Sequence, residues 1–301
     1  GEGSIFALLK DLGWALGLVA GEGFDSFSAA STFFVKVELT EAGHAHAEEV
    51  MAVVFEYIAL IRAQGVQQWV FEELKAQSEV RFHFRDKQEP YNYVRMLSSN
   101  LQLYPWREVL LAAYAVPQVY SPGAINDLLD CLAPANVRLF WISKQFAEVA
   151  TEVEPWYGTQ YIIEAIPEEW VRRWESGSTR PELVLPAPNE FLPTDFSMKV
   201  PEATEAAAQP RVVAETAVTR LWHKPDTLFG APKAFIYLDV ASPEAYTSPE
   251  TGVLTRLFTR LVVDALNMHV YNAEIAGLDY SIINTKHGYQ VTVAGYSHKL
   301  M

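Results

Sequence analysis

KDLGWALGLVAG, residues 10–21, begins with the end of an amphipathic helix, breaks at Gly13 and continues as an apolar strand. Residues 33–39, FFVKVEL, have the alternation of a second strand that returns beside it. Near the other end of the chain, NAEIAGLDYSIINT (272–285) and YQVTVAGY (289–296) repeat the order of helix, glycine, strand and strand. This mixture predicts an α+β fold. The repeat reflects either a duplicated unit or coincidence.

The segments between these two ends also alternate helical and strand patterns. Thr40 can cap a single helix that ends near Gly65. A proline-rich stretch, residues 176–210, predicts an extended connector. The other patterns predict helices at 67–85, 90–101, 106–114, 121–132 and 251–276, and strands at 137–143, 220–224, 234–240, 278–285 and 289–296.

The composition limits the classes of function. The 301 residues are 50% hydrophobic and 20% charged, as in globular domains. A net charge of −14 without a Lys/Arg cluster argues against nucleic-acid binding and favours peptides or small molecules. The lone Cys131 fits a reducing compartment, and no apolar run approaches the roughly 18 residues that span a bilayer. We expect a cytoplasmic protein without membrane contact, with an organellar location as the alternative.

The stretch GHAHAEE, residues 43–49, raises the question of a metal site. On one continuous helix His44 and His46 point to nearly opposite sides, so they cannot ligate one ion. His46 falls on the core stripe, which predicts a histidine packed at the edge of the core. His44 shares a face with Glu48, which favours an ionic pair over a two-ligand site. We therefore disfavour a metalloenzyme built on His44, His46 and Glu48. No other motif in the chain indicates an active site.

Seven runs, taken together, carry a resemblance that spans the chain. They are GEGSIFALLK (1–10), GW (13–14), QWVFEE (68–73), FRDK (84–87), WYGTQY (156–161), NEFLPT (189–194) and YNAEIAGL (271–278). With them the sequence resembles the insulin-degrading enzyme (insulysin) and nardilysin branch of the pitrilysin-type zinc metallopeptidases. The runs WYGTQY and NEFLPT are the most specific.

The resemblance implies repeated pitrilysin-type (LuxS/metallopeptidase-like) α+β domains, each with a mixed sheet packed by helices. Residues 1–170 would be most of the second domain, 171–204 a helix end and inter-half linker, and 205–301 the start of the third domain. The catalytic His-x-x-Glu-His motif and its zinc would lie in the first domain, outside this chain. The chain itself would therefore hold no catalytic residue and no metal, and would be inactive alone.

The same resemblance places an exosite, a surface that holds substrate away from the catalytic centre, on the strand after Gly13-Trp14. It implies that Leu18, Val19, Ala20, Gly21 and Glu22 form an edge that pairs with the N-terminal segment of a peptide. Small residues at 20 and 21 suit the approach of another backbone. Ala20 departs from the family, in which glycine is usual, so peptide preference is expected to differ. A plain edge strand followed by a glycine turn is the structural alternative.

The resemblance also bears on three positions between 86 and 89. Asp86 and Lys87 match residues at the edge between the two halves of the family's enzymes, where a latch contact or a solvated charge pair would lie. Glu89 stands where some members carry an arginine that helps to bind ATP or other polyanions. Because a carboxylate repels phosphate, we expect this polyanion site to be weakened or absent.

The sequence thus predicts a non-catalytic segment that anchors substrate and forms part of the chamber of a zinc metalloendopeptidase for short unfolded peptides. The expected partners are peptide substrates and the remaining domains of the same polypeptide, and a homo-oligomer fits the relatives. The alternative is a structural or binding relative of the same fold whose zinc motif has decayed.

Overall fold

The chain opens with a short helix whose ends are set by local chemistry. In the computed structural model, which describes residues 1–23, 30–112, 116–198, 209–226 and 229–300, α1 spans Ile5–Asp11. The Ser4 hydroxyl accepts a hydrogen bond from the Ala7 N–H at its start. Gly13, with φ of +73°, ends the turn and allows the chain to enter β1, Ala15–Glu22.

The remaining elements follow in chain order. They are β2 (Phe33–Leu39), α2 (Glu41–Ala45), α3 (Ala47–Gln64), α4 (Gln68–His83), α5 (Pro90–Leu103), α6 (Val109–Ala112), α7 (Pro122–Cys131), β3 (Glu152–Val153), β4 (Gln160–Tyr161), α8 (Glu168–Glu175), β5 (Arg211–Glu215), β6 (Arg220–His223), β7 (Lys233–Ala241), α9 (Pro249–Ile275), β8 (Asp279–Asn284) and β9 (Gly288–Tyr296). Short 3-10 helices lie at Pro134–Asn136, Lys144–Glu148 and Ser297–Lys299. None of the helices in the described residues is long and apolar enough to cross a bilayer.

The chain forms two compact units, of which the first contains residues 1–71 and 119–187. In this unit β1 and β2 form an antiparallel hairpin. One core cluster joins α1, β1 and α3, and its buried members are Leu9, Ala15, Val50, Val53 and Leu183. A second cluster fixes α8 on α3, because the Phe55 and Trp174 rings stack with their centroids 5.3 Å apart.

The second unit contains residues 72–118 and 188–301. Its largest sheet is antiparallel in the order β7-β9-β8, and β8 follows α9 directly after Gly277, whose φ is +83°. The segment after Pro188 is tied down by Asn189. Its side-chain amide donates to the Asn272 carbonyl at 2.7 Å, and its backbone N–H donates to the Glu73 carboxylate at 2.9 Å.

Most of the predicted elements are confirmed, but the single helix predicted from Thr40 to Gly65 is wrong. The helix breaks at His46, whose φ of −114° and ψ of 26° separate α2 from α3. The His46 ring stacks on Trp14 with a centroid distance of 4.5 Å, which holds the break against β1. Helical periodicity continues through this point, so the sequence pattern alone does not show the interruption.

The buried strand predicted at 137–143 is also wrong. These residues are irregular, and Phe140 and Ile142 are exposed. A strand needs a hydrogen-bonded neighbour, and no strand among the described residues pairs with this run. The predicted helix 106–114 is observed only at Val109–Ala112. Its last two positions, and residues 199–208 of the predicted connector, lie outside the described residues.

Candidate functional site

The candidate site is the strand β1, which local contacts hold in place at its start. The Thr40 hydroxyl donates to the Gly13 carbonyl at 2.7 Å, and the Thr40 N–H donates to the Trp14 carbonyl at 3.0 Å. Gly43 packs so closely on this point that an added Cβ would lie 1.9 Å from the Trp14 oxygen. The start of β1 is therefore fixed by backbone contacts that require glycine at 43.

The register of the hairpin shows which backbone groups of β1 face away from β2. The Gly23 N–H donates to the Thr32 carbonyl at 2.7 Å, so these two opposite residues form a hydrogen-bonded pair. In an antiparallel ladder such pairs alternate with pairs whose N–H and C=O groups point outward. Counting back along the unbroken register from Gly17 to Glu22, the outward-facing residues are Leu18, Ala20 and Glu22.

This outward edge is open for a further strand. Among the described residues β1 pairs with β2 alone, so the N–H and C=O groups of Leu18, Ala20 and Glu22 have no neighbouring strand. Unpaired groups of this kind are a template for a further strand in an extended conformation. The edge therefore offers three donors and three acceptors in a straight row.

The side chains of β1 leave that row accessible. Leu18 packs on the core cluster of the first unit, so its side chain anchors the strand. Val19 and Ala20 are exposed, and a Cβ added at Gly21 would meet no atom within 4 Å. Glu22 is exposed at the end of the strand. The five predicted exosite positions thus divide into a half-buried anchor, Leu18, and four residues at or near the surface.

Asp86 and Lys87 lie in the second unit, in the irregular segment between α4 and α5. Both are exposed. The Asp86 carboxylate lies 3.3 Å from the Lys233 ammonium group, which also donates to the Phe84 carbonyl at 3.0 Å. The sequence reasoning missed Lys233, because no local pattern connects positions 147 residues apart. Glu89 begins α5 and makes no side-chain cap hydrogen bond.

The two histidines of GHAHAEE are both engaged in packing. His46 is half-exposed and lies 3.3 Å from the Glu49 carboxylate. Its ring stacks on Trp14, which packs against the core cluster of the first unit, so His46 lies at the edge of the core as predicted. The His44 ring packs beside Trp141, with a centroid distance of 5.1 Å. The rings point to different neighbours, as the helix argument expected, although the helix itself is broken between them.

Glu48 does not form the expected ionic pair with His44. Its carboxylate lies 2.5 Å from the Arg173 guanidinium. Burial raises the pKa of Glu48, and the charge of Arg173 opposes this rise. Within the described residues, no group of three or more His, Cys, Asp or Glu side chains is arranged to hold a metal ion.

Comparison with known proteins identifies the family to which the chain belongs. Residues 82–301 match the sequence profile described as "Middle or third domain of peptidase_M16", and residues 1–78 match "Peptidase M16 inactive domain". The chain belongs to the M16 peptidase family. Among solved structures, the crystal structure of pitrilysin superposes with a TM-score of 0.76 at 24% identity, over 99% of this chain and 31% of that one. The α+β, pitrilysin-type fold predicted from the sequence is confirmed.

Individual relatives are similar over the whole chain. The identity is 42% over 301 residues with insulin-degrading enzyme-like 1, peroxisomal, of Arabidopsis thaliana, covering 100% of this chain and 30% of the relative. The identity with human insulin-degrading enzyme is 40%, over 99% of this chain and 29% of the relative. The identity with human nardilysin is 33%, over 100% of this chain and 26% of the relative. The resemblance to the insulysin and nardilysin branch is confirmed, and the chain spans less than a third of the length of these relatives.

Proposed function

We propose that this chain is a non-catalytic segment of a zinc metalloendopeptidase, where it anchors short unfolded peptides and forms part of the chamber wall. The observation that carries the proposal is the open edge of β1, with the outward N–H and C=O groups of Leu18, Ala20 and Glu22. Membership in a peptidase family supplies the class of substrate.

In this proposal, a peptide adds to the sheet as a further strand beside β1. Main-chain hydrogen bonds hold it with little regard for its sequence, while the exposed side chains beside the edge set a mild preference. The bound peptide would use the groups of Leu18, Ala20 and Glu22, and Val19 and Gly21 would keep their bonds to β2. The edge would thus position one end of the substrate and leave the hydrolytic step to another part of the enzyme.

The zinc and its ligands belong, in this proposal, to a part of the intact enzyme outside residues 1–301. The hydrolytic step would take place at that part of the enzyme, and this chain would act on the substrate only by holding it. We also propose the division at 1–170, 171–204 and 205–301, and a contact of Asp86 and Lys87 at the edge between the two halves of the intact enzyme. A homo-oligomer and the cytoplasmic location stay predictions, since one relative is named peroxisomal.

The alternative is a structural or binding relative whose zinc motif has decayed. The profile matched by residues 1–78 is described as an inactive domain, which fits either reading of this segment. The gene upstream of Gly1 distinguishes them. An intact His-x-x-Glu-His motif with a later glutamate favours the peptidase, and a degraded motif favours the alternative.

A length series of peptides tests the anchoring role in the full-length protein. Each peptide shares one scissile bond and adds residues only on its N-terminal side. We expect KM to fall once the added segment is long enough to reach β1, and to stay level with further extension. A KM that does not depend on N-terminal length would contradict the proposal. A series extended on the C-terminal side is the matched control.

A further inference from the structure

The first unit carries a small hairpin, β3 to β4, whose tip holds two exposed aromatic side chains. The exposed fractions of Trp156 and Tyr157 are 87% and 90%. Large rings are usually at least half-buried in a folded chain, and adjacent pairs this exposed mark interaction sites. The run WYGTQY (156–161) begins at this tip and belongs to a different sheet from the β1 edge.

The tip of this hairpin is held in one conformation by Glu154. Its carboxylate accepts hydrogen bonds from the Trp156 N–H at 2.6 Å and the Tyr157 N–H at 2.8 Å. The Glu154 carbonyl also accepts from the Gly158 N–H at 3.0 Å, and the φ of Gly158 is +70°. The two rings are thus presented on a fixed backbone, which lowers the entropy lost when they are buried in a partner.

The charges around the hairpin select the partner. Between Lys144 and Arg172, residues 145–171 contain six glutamates and no lysine, arginine or histidine, and the glutamates are 148, 152, 154, 164, 168 and 169. Such a surface repels anionic membranes. In a symmetric dimer through this face, the same carboxylates would oppose each other, so a second copy is also disfavoured. An apolar pocket with a rim of Lys and Arg complements both the rings and the charge.

We propose that the 152–161 hairpin is an intramolecular anchor, which inserts Trp156 and Tyr157 into a basic-rimmed apolar pocket on a part of the same polypeptide outside residues 1–301. This rests on the proposed function, in which the chain is a segment of a longer peptidase. The relatives leave ample chain for such a pocket, since this chain covers 30% of one of them and 29% of another. Aromatic side chains in fixed positions are typical anchors of such interfaces.

Hydroxyl-radical footprinting of the full-length protein tests the anchor without any substitution. Oxidation of Trp156 and Tyr157 is compared with that of Trp106 and Tyr91, whose exposed fractions of 72% and 77% make them matched controls. We expect several-fold slower oxidation of the hairpin pair at every protein concentration. Equal oxidation of the two pairs would overturn the proposal. Protection that disappears on dilution would show a second copy as the occupant and would also overturn it.

The Trp156→Ser/Tyr157→Ser variant provides the second measurement, with Trp106→Ser as its control. Losing an interface anchor shifts a docking equilibrium by about 30-fold. The rate of proteolysis within residues 137–163 is proportional to the fraction of molecules in which the hairpin is undocked. Cleavage should therefore be about 30-fold faster in the double variant and unchanged in the Trp106→Ser control. An unchanged rate would contradict the anchor. If the full-length protein hydrolyses peptides but Trp156 is exposed, the anchor is wrong and the proposed function stands. If the protein is inactive but Trp156 is protected, the proposed function is wrong and the anchor stands.

Discussion

Replacing Ala20 by proline removes one outward N–H from β1 without removing any hydrogen bond to β2. Ala20 lies opposite Val35, in a pair whose backbone groups point away from the hairpin. Proline is tolerated on an edge strand when its nitrogen faces outward. The hairpin should therefore still form, and a peptide that pairs with β1 should lose its bond at the centre of the three outward residues.

The size of the loss follows from that one bond. A backbone hydrogen bond contributes a net of about 0.5–1.5 kcal/mol. Because the edge is exposed to water, a substrate carbonyl left without its donor can bond to water instead, so the loss corresponds to a complex that is roughly two- to tenfold weaker. We expect KM for long peptides to rise by about this factor or more in full-length Ala20→Pro.

The assay is steady-state hydrolysis of one long peptide and one short peptide that shares its scissile bond. The short peptide does not reach β1, so its KM should not change. Ala20→Gly keeps the N–H and serves as the control that retains tight binding. If Ala20→Pro hydrolyses the long peptide with the KM of the unmodified protein, pairing at this edge is refuted.

Three further outcomes are expected. Leu9→Ala should lower the free energy of unfolding in urea by about 2–5 kcal/mol, since Leu9 is fully buried, while exposed Leu16→Ala should change it by less than about 0.5 kcal/mol. Burial raises the pKa of Glu48 against the pull of Arg173, so the native state binds this proton more tightly than the unfolded chain. The stability that protonated Glu48 contributes is present below pH 4.5 and is lost as pH rises through its raised pKa. Glu48→Gln should lessen that loss in unfolding experiments at several pH values, and an identical pH profile would contradict it. Finally, the 301-residue chain with zinc should not cleave a fluorogenic peptide, and activity abolished by His44→Ala would contradict the assignment of catalysis elsewhere.

Local patterns predicted the elements that depend on local chemistry. The glycines at 13 and 277 both adopt positive φ where a helix gives way to a strand, so the common order of elements at the two ends was visible in the sequence. The prediction of a strand at 137–143 failed because a strand needs a hydrogen-bonded neighbouring strand, and no local pattern shows whether one is present. The prediction of one continuous helix across His46 failed for a similar reason. The break there is held by the stacking of His46 on Trp14, a contact between distant parts of the chain.

The location of the candidate site could be predicted from the sequence, but the direction of its backbone groups could not. The resemblance placed the site on Leu18 to Glu22, and residue types alone do not show which of the five positions face outward. Which of them face outward depends on the register, and the register is shifted by an irregularity between Ala15 and Gly17. The Gly23 to Thr32 hydrogen bond fixes the alternation, and with it the outward direction of the Ala20 backbone groups and the inward direction of those of its two neighbours.

Residue-resolved amide hydrogen exchange in β1, with and without a long peptide bound, tests the central claim most directly. The outward N–H groups of Leu18, Ala20 and Glu22 should exchange fast in the free protein and become protected on binding. Those of Val19 and Gly21 already bond to β2 and should change little. Protection of all five to the same degree, or of none, would contradict strand addition at this edge.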